Sequence, residues 1–251
     1  MSSVESFVWT VLPYVAITTL AVGLFWRYKY DKFGWTTRSS QMYESRLLRL
    51  GSPLFHIGIL LALGGHIVGL VVPESWTASF GIDEHVYHVV AVTLGSVAAV
   101  MVVSGLAILV YRRRTVPRVF QVTTPMDKTM YLVLGSVVLL GAYNTIGVNL
   151  LDLPRAYPDG YNYRETIAPW FRSVFLLDPQ PELMSEAPTT FQLHALMAMV
   201  LFTIWPFTRL VHVLSAPVGY LSRPYIVYRS RGAHDAAGSR DPSRGWEPTR
   251  R

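Results

Sequence analysis

Cysteine is absent from all 251 residues. That excludes disulfides, cysteine-ligated iron–sulfur clusters and covalent c-type haem, whose attachment needs C-x-x-C-H. Charge is scarce as well. Only 15% of residues are Asp, Glu, Lys or Arg, against roughly 25% in an ordinary soluble domain. A soluble fold of this length needs more polar surface than that to cover its core.

Apolar sequence takes the place of charge. The chain is 51% hydrophobic, with a mean hydropathy of +0.31. The apolar residues gather into runs near or above the ~20 needed to cross a bilayer as a helix. Five spans are expected, at about 7–26, 52–72, 84–111, 128–148 and 190–215. Pro13 falls inside the first, which a membrane helix tolerates if neighbours re-satisfy the freed carbonyl. Pro73 closes the second and Pro217 the fifth. The fold class expected is an all-α membrane bundle of five helices.

The net charge of +6 is unevenly spread. Of 22 Lys and Arg, six lie in the 27–51 loop, five in 112–128 and eight from Arg209 onward. Only Arg155, Arg164 and Arg172 fall in the long loop between spans four and five. Because the basic clusters abut apolar runs, they indicate membrane orientation rather than nucleic-acid binding. The positive-inside rule then puts the N-terminus outside and the C-terminus in the cytoplasm. The first segment carries its positive residues after the apolar run, the reverse of a cleavable signal, so an uncleaved anchor is expected. Within the long loop, 166–177 (TIAPWFRSVFLL) reads either as a short interfacial helix or as an ordered loop. The domain reading is a membrane unit over 1–225 and a basic tail over 226–251, disordered alone or bound to a partner.

Seven histidines are present. His234 lies in the tail, and His85 and His88 stand at the outer start of span three. His56 and His66 are in span two, His194 and His212 in span five. An ionisable residue inside a span is costly and marks a functional candidate. A single one can be an interhelical hydrogen bond; four on two helices call for another account.

Depth supplies it. At 1.5 Å per residue, His56 and His66 are ~15 Å apart along their helix, and His194 and His212 ~27 Å. Axial nitrogens on one metal must be roughly 4 Å apart, twice a metal–imidazole bond of ~2 Å. Pairs must therefore cross between helices: His56 with His212 on the cytoplasmic side, and His66 with His194 on the outer side. The pattern points to two non-covalent b-type haems. A zinc or copper site would need three or four ligands at one depth. Met197 and Met199 are not required as ligands. The unequal separations demand tilt, or a kink at Trp205–Pro206. Gly65 and Gly69 flank His66, where small residues admit either a planar cofactor or another helix. Arg209, near His212, is assigned to a haem propionate or to snorkelling toward headgroups.

Three stretches carry a family resemblance: RYKYDKFGWTTRSSQ at 27–41, SPLFHIGILLALGGH at 52–66 and WPFTRLVHVLSAPVGYLSRPY at 205–225. Over about residues 1–230 the chain resembles the cytochrome b (γ) subunit of membrane-bound respiratory nitrate reductase. The resemblance implies that His56 and His212 ligate a cytoplasmic-side haem b, and His66 and His194 an outer one. It implies quinol oxidation near the outer haem, with menaquinol or ubiquinol as substrate and protons released outside. It also implies an iron–sulfur β subunit and a molybdenum-containing α subunit as cytoplasmic partners, and a bacterial cytoplasmic (inner) membrane location. The chain itself offers no nitrate chemistry. The family's best-known member has a lysine at the outer start of span three. Here no lysine stands there, and His85 and His88 are the candidate quinol contacts, or else plain interfacial polar residues. Two other readings stay open. One is a cytochrome b subunit of a hydrogenase, formate dehydrogenase or sulfur-metabolism complex. The other is a haem-free transporter or structural membrane protein.

Overall fold

A computed structural model describes residues 3–31, 40 and 42–215. Part of the 27–41 stretch, the 226–251 tail, His234 and the C-terminal end of the 205–225 stretch lie outside them. Among the described residues the fold is all helical. Five helical stretches are long and apolar enough to cross a membrane: Val4–Tyr30, Arg46–Val71, Glu84–Thr115, Pro125–Leu150 and Thr189–Phe207. Four match the expected spans apart from their ends. The fifth is shorter than expected and stops at Phe207 instead of running to residue 215.

Span one consists of α1 (Ser3–Thr10) and α2 (Leu12–Tyr30). Pro13 has no N–H to give the carbonyl four residues back. That carbonyl, on Trp9, accepts instead from the indole Nε1 of Trp170 at 3.0 Å. The two rings meet edge to face, with centres 5.6 Å apart. Trp170 belongs to α8 (Ile167–Phe175), so the long loop does contain a helix. Ala168, Trp170, Ser173 and Val174 are buried in it; Trp170 and Val174 pack in one cluster with Trp9 and Ala16 of span one, and the Val174 carbonyl accepts from Tyr14 Oη at 2.9 Å. The proline of one element thus creates the docking point of another.

Span two is α3 (Arg46–His66), continued by a π-helical turn over Ile67–Val71. Span three is α5 (Glu84–Thr115), reached through the short α4 (Glu74–Ser79). Asp83 caps α5 by accepting the Val86 N–H at 2.7 Å. The α3–α5 pair is the most extensive contact in the bundle. Small residues make it close: a Cβ on Gly58 would stand 2.8 Å from Met101 Cβ, and one on Gly105 would meet the Phe55 backbone. The packing glycines of span two are therefore Gly51 and Gly58, on the turns around His56.

After α6 (Pro117–Gln121), span four is α7 (Pro125–Ala142) with a π-helical extension over Tyr143–Leu150. A capping box opens it. Thr124 Oγ1 accepts the Asp127 N–H at 3.1 Å, and Asp127 Oδ2 accepts the Thr124 N–H at 3.0 Å. Beyond α9 (Pro181–Ser185), span five is α10 (Thr189–Ile204), packed between α7 and α2. Mid-helix side chains such as Leu60, Val100 and Leu132 are 60–71% exposed. In water that would be a large apolar patch, and in a bilayer it is the lipid face.

α10 ends where sequence alone anticipates a kink. Trp205–Phe207 tightens into a 3₁₀ turn, Thr208 is extended (φ −108°, ψ 175°), and Arg209–Ser215 forms a second 3₁₀ segment. Hydropathy extends the span to 215 because LVHVLS is apolar. Pro206 interrupts the backbone ladder whatever the polarity around it. A straight helical path from His194 to His212 is therefore replaced by a helix, a break and a new turn.

At the end carrying the basic loops, Arg112 is buried at 3% exposure rather than facing headgroups. It donates to Glu44 Oε2 at 2.6 Å, to Ser40 Oγ at 2.9 Å, and to the Ser40 and Glu44 carbonyls. This clasp ties the segment before α3 to the end of α5.

Candidate functional site

The four in-span histidines come together in two pairs, each joining span two to span five or to the segment that follows its break. The His56 and His212 ring centres are 6.1 Å apart with planes at 70°. Those of His66 and His194 are also 6.1 Å apart, with planes at 32°. His56 lies in mid-α3 and His66 at its last residue. His194 is in the second turn of α10, and His212 is on the 3₁₀ segment past the break.

Each ring is oriented by the same device. His56 Nδ1 lies 2.7 Å from the Ser52 carbonyl and His66 Nδ1 2.7 Å from that of Ala62. His194 Nδ1 faces the Val137 carbonyl at 3.0 Å and His212 Nδ1 the Arg209 carbonyl at 2.7 Å. A carbonyl oxygen can only accept, so Nδ1 carries the proton in all four. In the neutral ring the lone pair is then on Nε2, the arrangement that metal-ligating histidines adopt. Three of the carbonyls belong to the ring's own chain segment. The fourth crosses helices, from α7 to α10.

That crossing depends on Gly141. A Cβ there would stand 2.9 Å from His194 Cε1 and 3.4 Å from its Nδ1. The imidazole thus passes close over α7, Cε1 nearest, where only hydrogen occupies the side-chain position. Sequence reading passes over Gly141, because a glycine in an apolar helix gives no sign of which ring will cross it.

The glycines near His66 differ from one another. Added Cβ atoms on Gly64 and Gly65 would meet nothing within 4 Å. Gly69 faces elsewhere: a Cβ there would be 2.5 Å from Tyr163 Oη. It belongs to the contact between the π turn and the long loop, not to the open side next to His66. Arg209 also has a partner. Its Nε is 3.5 Å from Asp127 Oδ1, and Arg113 Nη1 is 3.9 Å from Asp127 Oδ2. This three-residue cluster joins the segment bearing His212 to the start of α7.

At the opposite end, the long loop covers span three. Arg164, its side chain 1% exposed, bonds Glu84 Oε2 and Thr77 Oγ1 at 3.0 Å each. Its guanidinium lies 3.9 Å from the centre of the Tyr87 ring. Tyr87 and Tyr163 share a hydroxyl hydrogen bond of 2.9 Å. Burial pushes the Tyr163 phenol well above its ordinary range, and that hydrogen bond pushes the same way. Tyr163 therefore stays protonated and cannot act as a base. His88 is half-buried, with its ring packed over Gly160 (φ +79°), whereas His85 is exposed. Among the described residues no hydrogen bond or ring contact joins either to His66 or His194.

Comparison with known proteins identifies the family. The model of the nitrate reductase gamma subunit family matches residues 5–231. The Nitrate reductase-like protein NarX of Mycobacterium tuberculosis is 54% identical over 95% of this chain, which spans only 35% of NarX. The nitrate reductase gamma chain of Bacillus subtilis is 41% identical, with 89% of this chain and 97% of that one aligned. The respiratory nitrate reductase 1 gamma chain of Escherichia coli is 31% identical, with 92% and 100% aligned. With five candidate spans and a match across nearly all of its length, the chain belongs to the nitrate reductase gamma subunit family.

Proposed function

We propose that this chain is the quinol-oxidising dihaem cytochrome b anchor of a respiratory nitrate reductase in a bacterial cytoplasmic membrane. The observation that carries the reading is the equal 6.1 Å separation of two histidine pairs at two depths. Two imidazoles on one metal, each held at about 2 Å through one nitrogen, have ring centres on the order of 6 Å apart. Both pairs fit, and all four rings spend Nδ1 on a carbonyl, leaving Nε2 as the ligating nitrogen. His56 and His212 would hold the haem nearer the basic loops, and His66 and His194 the haem nearer the long loop. The open side at Gly64 and Gly65 leaves room for a planar group next to His66. When bound, haem b supplies one-electron redox chemistry at each pair.

The chain's own part is to accept electrons from a membrane quinol at the long-loop end and deliver them at the basic-loop end. Protons leave at the long-loop end, where His85 and His88 are the proposed quinol contacts. The receiving partners are an iron–sulfur β subunit and a molybdenum-containing α subunit, docked on the basic loops and tail. A reduced-minus-oxidised spectrum with haem quantitation tests the core of this reading. Two b haems are expected in the wild type, with at least one lost in each of His56→Ala, His66→Ala, His194→Ala and His212→Ala. No b-type α band in the wild type would overturn it. A nickel-containing partner in place of a molybdenum-containing one would sink the nitrate reductase assignment alone.

A further inference from the structure

The break that carries His212 does not rest on its own sequence alone. Where α10 stops at Ile204, carbonyls that a continuing helix would use lose their partners. In an apolar surrounding such groups must be satisfied by something else. Arg27 of α2 meets that need: its Nη1 donates to the Pro206 carbonyl at 2.7 Å and to the Thr208 carbonyl at 3.4 Å. Its Nη2 is held by Asp31 Oδ2, one turn on, at 3.2 Å. One turn earlier on the same face, Gly23 receives the proline ring. A Cβ at 23 would stand 2.7 Å from Pro206 Cβ and 2.8 Å from its Cγ. Pro206 is itself fully buried.

We propose that Gly23 and Arg27 are positioning residues for His212, forming a socket on α2 that fixes the helix break and aims the ring that follows it. By sequence alone Arg27 is one of the six basic residues that orient the 27–51 loop. The structure gives it a second task. The path is short and physical. Arg27 holds the Pro206 and Thr208 carbonyls, and Thr208 Oγ1 accepts the Leu210 N–H at 3.2 Å. The 3₁₀ turn so capped presents His212, whose Nδ1 is fixed on the Arg209 carbonyl. His194 lies ten residues before the end of α10, on continuous helix with its own brace from α7. The socket therefore acts on one pair and not on the other. Charge assistance makes the Arg27 bonds stronger than neutral ones, and a shorter side chain at 27 cannot span the same two carbonyls.

The inference rests on the dihaem reading, and the test separates the two. The complete complex is purified for the wild type, Arg27→Ala, Arg27→Lys, Gly23→Val, His212→Ala and His194→Ala. Haem content and an optical redox titration are measured on each, with no nitrate turnover involved. The two histidine variants identify which spectral component belongs to which pair. Arg27→Ala and Gly23→Val are expected to deplete, or shift the midpoint of, the component missing in His212→Ala. The component missing in His194→Ala stays in place, and Arg27→Lys recovers part of the change. A wild type with no haem brings down the dihaem reading itself. A two-haem wild type whose Arg27→Ala and Gly23→Val variants match it in content and midpoints overturns the socket. Loss of both components together overturns it too, since positioning one ring must spare the other pair.

Discussion

The two histidine pairs reach the same ring separation by different routes. The pair nearer the long loop, His66 with His194 and outer in the proposed orientation, is carried on unbroken α-helix, and its geometry comes from how α3, α7 and α10 dock. The inner pair joins His56, on continuous helix, to His212 on a segment that exists because a helix was stopped. Ten residues separate the histidines on span two and eighteen separate them on the span-five side. Tilt alone would have to absorb about 12 Å of difference at 1.5 Å per residue. The chain ends the helix instead and turns before presenting the ring. The outer site thus depends on shape complementarity between helices, and the inner site on backbone termination and capping. Substitutions can be chosen to damage one and leave the other.

The largest asymmetry is expected from Pro206→Leu. Leucine restores an N–H at 206 and removes the steric reason for the helix to stop. It also puts a branched side chain against Gly23, where the proline ring already lies within 2.8 Å of an added Cβ. Overpacking of that kind costs about 1–3 kcal/mol. On the proposed dihaem reading, most of the inner spectral component should be lost, with the outer one unchanged in content and midpoint. Equal loss of the two components would show that the break is not a local device of the inner pair.

Gly141→Ala reverses the pattern at moderate size. The new methyl would stand 2.9 Å from His194 Cε1, so the ring must leave the Val137 carbonyl or push α10 away. Loss of the hydrogen bond that orients a metal-bound histidine typically weakens metal affinity about 10- to 100-fold. Haem transfer from the detergent-solubilised complex to an apoprotein scavenger measures this directly. The outer component should leave faster than in the wild type, and the inner at the wild-type rate. Unchanged outer retention would mean that Gly141 is only a packing glycine.

How much of this was legible beforehand follows the same division. Composition and charge were enough for five spans, because a bilayer demands ~20 apolar residues whatever their order. Charge bias also gave the histidines their relative depths, and depth alone paired His56 with His212 and His66 with His194. The spacing mismatch located strain at Trp205–Pro206. Its resolution was only half visible. Proline suggested a kink, but the PFT sequence also sets a capping residue, Thr208, two residues past the breaker, an N-cap signal that could have been read. Arg27 and Gly141 could not be found in this way. Their roles depend on which helices become neighbours, and one sequence holds no record of that. Gly69 shows the same limit: nearness to His66 in sequence suggested a cofactor contact, and the structure sets it against Tyr163. Arg209, read as a propionate or headgroup contact, is engaged with Asp127 across the start of α7.

Thr208 offers the finest test of the capping half of the comparison. Its hydroxyl does two things at once: it donates to the Trp205 carbonyl at 2.9 Å and accepts the Leu210 N–H at 3.2 Å. The residue is buried, so water cannot replace either bond. Thr208→Ala takes the acceptor from the Leu210 N–H, while the Trp205 carbonyl keeps the Thr208 N–H at 3.0 Å, a cost of about 1 kcal/mol by the usual value of an N-cap. If the cap and the ring move together, inner-haem retention should fall roughly fivefold, since 1.4 kcal/mol corresponds to a factor of ten. Thr208→Ser keeps the hydroxyl and should hold close to wild type. Thermal loss of each spectral component, followed separately, is the measurement. An inner component equally stable in the alanine and serine variants would remove capping from the account and leave Arg27 and Pro206 to hold the turn. A drop confined to the alanine variant and to the inner component would mean that one hydroxyl, at the junction of two helical segments, helps set where His212 points.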